Sequence, residues 1–134
     1  MTDRQGIILV VVLSAANVND YLILGAALDA VPSVSGFRPG RPRHRPVKLH
    51  ADKGYDYPAC WKQLKERGIL ARIARRGIED SDHLGKHRWV VERTHSWMNR
   101  FRRLATRFEQ CPDIHLAFCQ LAAILINQRF LAKI

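Results

Sequence analysis

The sequence predicts an α/β fold in one domain covering residues 1–134. Three short segments with strand patterns alternate with segments of helical pattern, an order typical of α/β proteins. The chain is 47% hydrophobic, which is enough to build a core and excludes a disordered basic tail. Its three cysteines, Cys60, Cys111 and Cys119, are widely spaced, which excludes a disulfide framework and indicates a reducing compartment.

The first half of the chain contains a predicted strand, a helix and a loop. Residues 7–13 are a Val- and Ile-rich run that predicts a central strand. This run is too short for a membrane span, and the charges of Asp3 and Arg4 cancel, so no secretory signal is expected either. Residues 21–30 predict a helix that ends at Pro32. Residues 32–46 contain four prolines and two glycines and predict a basic, structureless loop.

The second half contains two further strands and three helices. Alternating residues predict strands at 47–52 and 69–74, on either side of a helix at 58–67 that begins at a proline. A polar loop is expected over residues 75–86. A long helix should follow from about residue 87, and a last helix from Pro112 to Leu131. The long helix carries one apolar stripe of helical spacing: Val90, Trp97, Phe101, Leu104 and Phe108.

The positive charge of the chain is concentrated in two blocks. The net charge is +10, yet residues 1–34 carry one basic and three acidic side chains. The first basic block, residues 35–48, has no acid and contains Arg38, Arg41, Arg43, Arg45 and Lys48. The second block lies in the long helix. Solvent-exposed surface would be enough to explain one run of basic residues. Two separate blocks of positive charge instead favour a nucleic-acid partner.

Asp52 is the first candidate for chemistry. It lies where a predicted strand ends, just before the turn at Gly54. Sites in α/β sheets form at the carboxyl ends of strands, where a carboxylate can face a metal ion or a phosphate. The alternative is a purely structural role, in which an Asx turn caps the next helix. The nearby Asp56 could have that role alone.

Glu92 is the second candidate, on the polar face of the long helix. That face holds Arg88, Glu92, His95, Ser96, Asn99 and Arg103. A simple explanation for Glu92 is a surface ion pair with Arg88, which would stabilise the helix by about a few tenths of a kcal/mol. However, the single acid lies among many arginines: Arg88, Arg93, Arg100, Arg102, Arg103 and Arg107. A carboxylate among guanidiniums suits a site where a metal ion meets a phosphate backbone.

A possible zinc site is weaker. Cys111, His115 and Cys119 follow one another at spacings of four, so they share a helical face. A zinc site needs a fourth ligand and usually has closer cysteine pairs. The interleaved residues are apolar, which favours a core face.

Three segments resemble one family. These are Asp52-Lys-Gly-Tyr-Asp56, Leu84-Gly-Lys-His-Arg-Trp-Val-Val-Glu-Arg-Thr94 and Trp97-Met-Asn-Arg-Phe-Arg-Arg103. In this order they resemble the C-terminal part of the DDE transposases of bacterial insertion sequences, in the insertion-sequence type five group. The resemblance covers essentially the whole chain. It implies a partial ribonuclease-H-like fold, a mixed sheet flanked by helices that lacks its first strands.

The resemblance also implies a mechanism. Asp52 and Glu92 become the second and third members of an acidic triad that binds two Mg²⁺ ions. The implied activity is DNA cleavage and strand transfer at insertion-sequence ends, with double-stranded transposon ends and target DNA as partners. The implied DNA-binding residues are Lys53, Arg88, Arg93, Asn99, Arg100 and Arg103, together with Arg41, Arg43 and Arg45 of the basic loop. The family signature has Tyr and Lys where this chain has Gly85 and Asn99, which leaves the role of that lysine unassigned, with Arg100 as the candidate.

The first acidic residue of the triad has no equivalent here, because the family carries it on an earlier strand. We therefore expect an upstream transposase segment as a partner, with a second copy of the chain as a further candidate. The chain is either a second reading frame reached by frameshifting or a decayed remnant. The isolated chain is expected to be inactive, and the alternative function is an inactive truncated remnant that only binds DNA. An RNA-binding function is disfavoured, because the tryptophans of this chain resemble core residues and not an exposed surface on which RNA bases stack. The expected location is the bacterial cytoplasm, at the nucleoid, with no membrane partner.

Overall fold

The computed structural model describes residues 1–34, 40, 42–77 and 81–132, without the side chains of residues 81–88. Within these residues it combines helices with a pair of parallel strands, which confirms the predicted α/β class. The strands are β1 (Lys48–Ala51) and β2 (Leu70–Ile73). The helices are α1 (Leu24–Asp29), α2 (Pro58–Glu66), α3 (Ser81–Met98), α4 (Arg102–Ala105) and α5 (Pro112–Leu131). The chain divides into two compact units: Ser14–Leu84, and Met1–Leu13 together with Gly85–Ile134.

In the unit Ser14–Leu84, α2 connects two parallel strands. Lys48 pairs with Leu70 and Ala51 with Ile73, so both strands end at the same edge of the sheet. The two predicted strands and the predicted helix between them are confirmed to within one or two residues at each end. The buried side chains of this unit come from α1, α2 and the segment that contains β2: Leu24, Leu28, Cys60, Leu64, Ile69, Ile73 and Ala74.

The two ends of α2 follow from local sequence signals. Pro58 occupies the first turn, where its missing N–H is no loss. At the other end, Gly68 has φ +64°, a conformation that favours glycine. Its N–H donates to the Lys65 carbonyl (3.0 Å), while the Ile69 N–H donates to the Leu64 carbonyl (2.8 Å). This is a Schellman motif, and it turns the chain from α2 directly into β2.

The segment before α1 and the basic loop differ from the prediction in detail. The predicted helix at residues 21–30 begins as a 3₁₀ turn, Asp20–Ile23, and continues as α1. The prediction that residues 32–46 lack structure is wrong at Val34 and Arg43, which pair as an antiparallel bridge with N···O distances of 2.9 and 3.0 Å. Residues 35–39 and 41 lie outside the described part of the chain.

In the unit containing the N-terminus, the predicted central strand is wrong. Among the described residues the sheet has two strands, and residues 7–13 belong to neither. Ile8 instead forms a single bridge with Thr2, and the Met1 ammonium donates to the Val10 carbonyl at 2.7 Å. The Asn127 side chain on α5 accepts from the Ile8 N–H (2.9 Å) and donates to the Ile8 carbonyl (2.8 Å). An amide side chain therefore takes the place that a neighbouring strand would occupy.

The long helix also differs from its prediction at both ends. It begins at Ser81, inside the predicted polar loop, because a helix tolerates a glycine such as Gly85 at about 1 kcal/mol. It ends at Met98 instead of continuing through Phe108. The backbone tightens there, with the Phe101 N–H donating to the Met98 carbonyl at 3.1 Å, and Phe101 is extended (φ −83°, ψ 116°). Phe108 is therefore 59% exposed and does not continue the apolar stripe.

The last helix, α5, begins at Pro112 as predicted and runs for 20 residues. By length and composition alone it could cross a membrane, with a mean hydropathy of 1.3. Core helices of globular proteins share those properties. Here Ala123 and Ile126 of α5 pack with Ile8, and Trp97 and Phe130 lie against that cluster.

Candidate nucleic-acid and metal site

The first candidate residues lie at the carboxyl edge of the β1–β2 pair. Asp52 follows β1 directly, and the Ala74 N–H donates to the Ala51 carbonyl (3.1 Å), extending the strand pairing one residue beyond β2. Asp52 and Arg75 therefore leave the sheet at the same edge. This is the edge at which α/β proteins place their ligands.

The Asp52 carboxylate is exposed and is oriented by its own turn. Its Oδ1 accepts the Gly54 N–H at 3.0 Å, capping the 3₁₀ turn Lys53–Tyr55. A Cβ on Gly54 would approach that same oxygen to 3.0 Å, so the glycine admits the close contact. Asp52 therefore caps a turn, and its carboxylate is exposed at the strand end. Lys53, in that turn, is exposed.

Asp56 has a structural role other than the helix cap that the sequence suggested, because the N-cap residue of α2 is Tyr57. Its carboxylate accepts the Trp61 Nε1–H and the Arg76 N–H, each at 2.9 Å, and so connects the turn after β1 with the turn after β2. These hydrogen bonds, the Arg76 backbone bond foremost, together with the charges of Arg75 and Arg76, lower the pKa of Asp56. Trp61 lies five residues after Asp56, a spacing that carries no signal by itself.

The second group of candidates lies in the other unit, on α3 and after it. Glu92 is an exposed side chain of α3, while Val90 and Thr94 on the same helix are buried. The polar face predicted for this helix is therefore confirmed at Glu92. The side chain of Arg88, four residues earlier, lies outside the described part of the chain.

Arg93 is surrounded by groups of its own unit. Its guanidinium carbon lies 4.3 Å from the Trp89 ring centroid and 4.6 Å from that of Trp97. It also donates a hydrogen bond to the Gln5 carbonyl. A Cβ on Gly6, where φ is +91°, would come within 2.7 Å of the guanidinium. The structure thus gives Arg93 a packing role against the N-terminal turn.

The remaining DNA-binding candidates are exposed: Arg43, Arg45, Asn99, Arg100 and Arg103. Two of them also contact the protein, because Arg45 donates to the Arg67 carbonyl at the end of α2 and Arg103 pairs with Glu109. Arg41 lies outside the described residues.

Among the residues with described side chains, no three His, Cys, Asp or Glu side chains form a group that could hold a metal ion. Asp52 belongs to the unit Ser14–Leu84 and Glu92 to the other. Of the three residues weighed as a zinc site, Cys119 is buried and Cys111 is exposed. Burial raises the pKa of the Cys119 thiol.

Comparison with known proteins identifies the family. Residues 1–127 match the transposase DDE domain. The chain is also 48% identical over 126 residues to a Burkholderia cepacia protein provisionally named as the transposase for insertion sequence element IS402. That alignment covers 94% of this chain and 59% of the relative, so the chain spans about three fifths of the length of that relative. No solved structure matches. Because the family domain matches almost the whole of this chain, the chain belongs to the DDE transposases of insertion sequences.

Proposed function

We propose that this chain supplies two of the three acidic residues of a transposase that cleaves DNA at insertion-sequence ends and joins it to a target. Asp52 and Glu92 are those residues. The observation that carries the proposal is the position of Asp52, an exposed carboxylate one residue beyond β1, held by the Gly54 N–H. The order of Asp52 and Glu92 along the chain is that of the family motif.

Both side chains suit a divalent metal ion. Mg²⁺ prefers oxygen ligands and is usually bound by one or two carboxylates together with substrate phosphates. Asp52 and Glu92 are exposed, so each can reach such an ion. When bound, two Mg²⁺ ions supply activation of the attacking water or 3′-hydroxyl and stabilisation of the leaving oxygen. The third carboxylate would come from a segment equivalent to the part of the relative that this chain does not span.

The residues of this chain orient the carboxylates and bind the substrate. Asp56 fixes the turn that follows Asp52, and the exposed Arg43 and Arg100 can hold backbone phosphates of double-stranded DNA. The β1–α2–β2 unit suits a single ribonuclease-H-like domain completed by the upstream segment. A second copy of the chain is a further partner, and the place of action is the bacterial cytoplasm, at the nucleoid.

A cleavage assay tests the two carboxylates. The upstream part of the Burkholderia relative is joined to this chain, and the purified protein is incubated with Mg²⁺ and a plasmid carrying the element ends. Metal ligation contributes several kcal/mol to such reactions, so Asp52→Asn or Glu92→Gln should reduce cleavage at least about a hundredfold. The matched control is Asp113→Asn, an exposed carboxyl on α5, which should cleave normally. Cleavage retained by Glu92→Gln would refute its assignment.

The isolated chain separates activity from binding. With two carboxylates, the 134-residue protein should retard duplex DNA without nicking it, in Mg²⁺ or in its absence. Mg²⁺-dependent nicking by this chain alone would show that no upstream carboxylate is needed. The absence of cleavage by the joined protein would favour the inactive remnant that only binds DNA.

A further inference from the structure

The carboxyl edge of the β1–β2 pair carries two arginines whose function is unassigned. Arg75 and Arg76 follow β2 directly, at the edge where Asp52 follows β1. Both side chains are exposed. Because the strands are parallel and in register, the two arginines and the carboxylate leave the sheet together.

Each guanidinium lies over an aromatic ring. The Arg76 guanidinium carbon is 4.3 Å from the Tyr57 ring centroid, and that of Arg75 is 5.6 Å from the Trp61 centroid. The Arg76 Nε also donates to the Lys53 carbonyl at 3.3 Å. Such contacts limit the conformations of a long side chain before any ligand binds, which lowers the entropy lost on binding.

The aromatic residues beside the two arginines make further contacts. Tyr57 stacks on Tyr21 with the ring centroids 4.0 Å apart, and Asp56 binds both the Trp61 indole and the Arg76 backbone. The Asp56 carboxylate is therefore engaged by two neutral donors, and it fixes the turn that presents the arginines. At this edge three cationic side chains accompany two carboxylates: Lys53, Arg75 and Arg76 with Asp52 and Asp56.

We propose that Arg75 and Arg76 form a binding site for DNA backbone phosphates beside Asp52. This inference rests on the proposed function, because it places the substrate backbone along the edge that carries the candidate catalytic carboxylate. A guanidinium held over a ring still offers a planar fork of N–H donors that matches a phosphate. Contacts of this kind position the duplex without reading its sequence.

The salt dependence of DNA binding tests the site. The purified 134-residue chain is titrated against a short fluorescent duplex at several NaCl concentrations between about 50 and 200 mM. The double variant Arg75→Gln, Arg76→Gln should reduce the slope of log affinity against log salt by about one for each arginine. The matched control is Lys62→Gln on α2, an exposed cation that pairs with Glu66, which should leave the slope unchanged.

Two further variants keep the result interpretable. Arg75→Gln alone leaves the hydrogen bond of Arg76 to Lys53 in place and should reduce the slope by about one. The charge-preserving variant Arg75→Lys, Arg76→Lys should keep the slope and lose affinity, because lysine lacks the planar fork. The proposal would be overturned if the double glutamine variant had the same slope as the Lys62→Gln control. It would also be overturned if the wild-type chain did not bind the duplex. Cleavage by the joined protein reports separately on Asp52 and Glu92.

Discussion

The guanidinium of Arg93 lies between two indole rings and donates to the backbone carbonyl of Gln5. A cation–π contact contributes about 0.5–2 kcal/mol, and a hydrogen bond from a charged group contributes about 1.5–3 kcal/mol. We therefore expect Arg93→Gln to lower the free energy of unfolding by about 2 kcal/mol. Urea denaturation followed by tryptophan fluorescence and circular dichroism measures the change.

Arg100 offers the matched control for Arg93, because it is an exposed arginine of the same unit. Arg100→Gln should leave the free energy of unfolding unchanged within about 0.5 kcal/mol. The folded Arg93→Gln variant should keep the wild-type slope of log affinity for DNA against log salt. If Arg93→Gln were as stable as the wild type but lost slope, Arg93 would contact phosphate, as the sequence-based assignment holds.

At the scale of secondary structure, local signals made some elements predictable and tertiary context decided the others. Pro58 and Gly68 bracket α2 by their own backbone preferences, so its ends followed from the sequence. Phe101 fits the apolar spacing of α3 yet adopts an extended backbone, and periodicity alone does not reveal that change. The run at residues 7–13 has the composition of a strand, but a strand also needs a neighbouring strand to pair with. Here the side chain of Asn127, from a helix far along the chain, binds the backbone instead.

The connection between α4 and α5 depends on an ionised Glu109. Arg103 of α4 donates to Glu109, and His115 of α5 has its Nδ1 3.9 Å from the other carboxylate oxygen. The Arg103 hydrogen bond lowers the pKa of Glu109 below its ordinary value of 4.5, and burial opposes this shift. A carboxyl with a lowered pKa stabilises the fold at pH values above its unfolded pKa and loses that contribution as the pH falls through its folded pKa.

We expect the stability difference between the wild type and Glu109→Gln to shrink as the pH falls below about 4.5. Urea denaturation at a series of pH values measures this difference. The control is Glu66→Gln on α2, whose partner Lys62 is 3.9 Å away and exposed, and which should differ little from the wild type at any pH. A Glu109→Gln difference that did not change with pH would contradict the role of the ionised carboxylate.

At the scale of the whole molecule, the sequence indicated local geometry better than contacts between distant residues. The position of Asp52 at a strand end was predictable because a strand end before a glycine turn is a local pattern. By contrast, Arg43 and Arg45 look alike in the sequence and are both exposed, and only the structure shows that Arg45 is bonded to the end of α2. The role of Asp56 depended on a contact with Arg76, twenty residues later.

The charge of the whole molecule predicts stabilisation by DNA. With a net charge of +10, the folded chain should bind a duplex of any sequence, and binding only to the folded state raises its stability. At about one hundred times the Kd the gain is about 2.7 kcal/mol, which corresponds to an increase in Tm of about 10 °C. Differential scanning fluorimetry should detect this increase at about 50 mM NaCl and lose it at about 200 mM, because added salt weakens phosphate contacts steeply. Uncharged dextran is the control for crowding, which contributes less than about 1 kcal/mol. If duplex DNA left the Tm unchanged at low salt, the lysine and arginine side chains would stabilise the fold and would not bind a polyanionic partner.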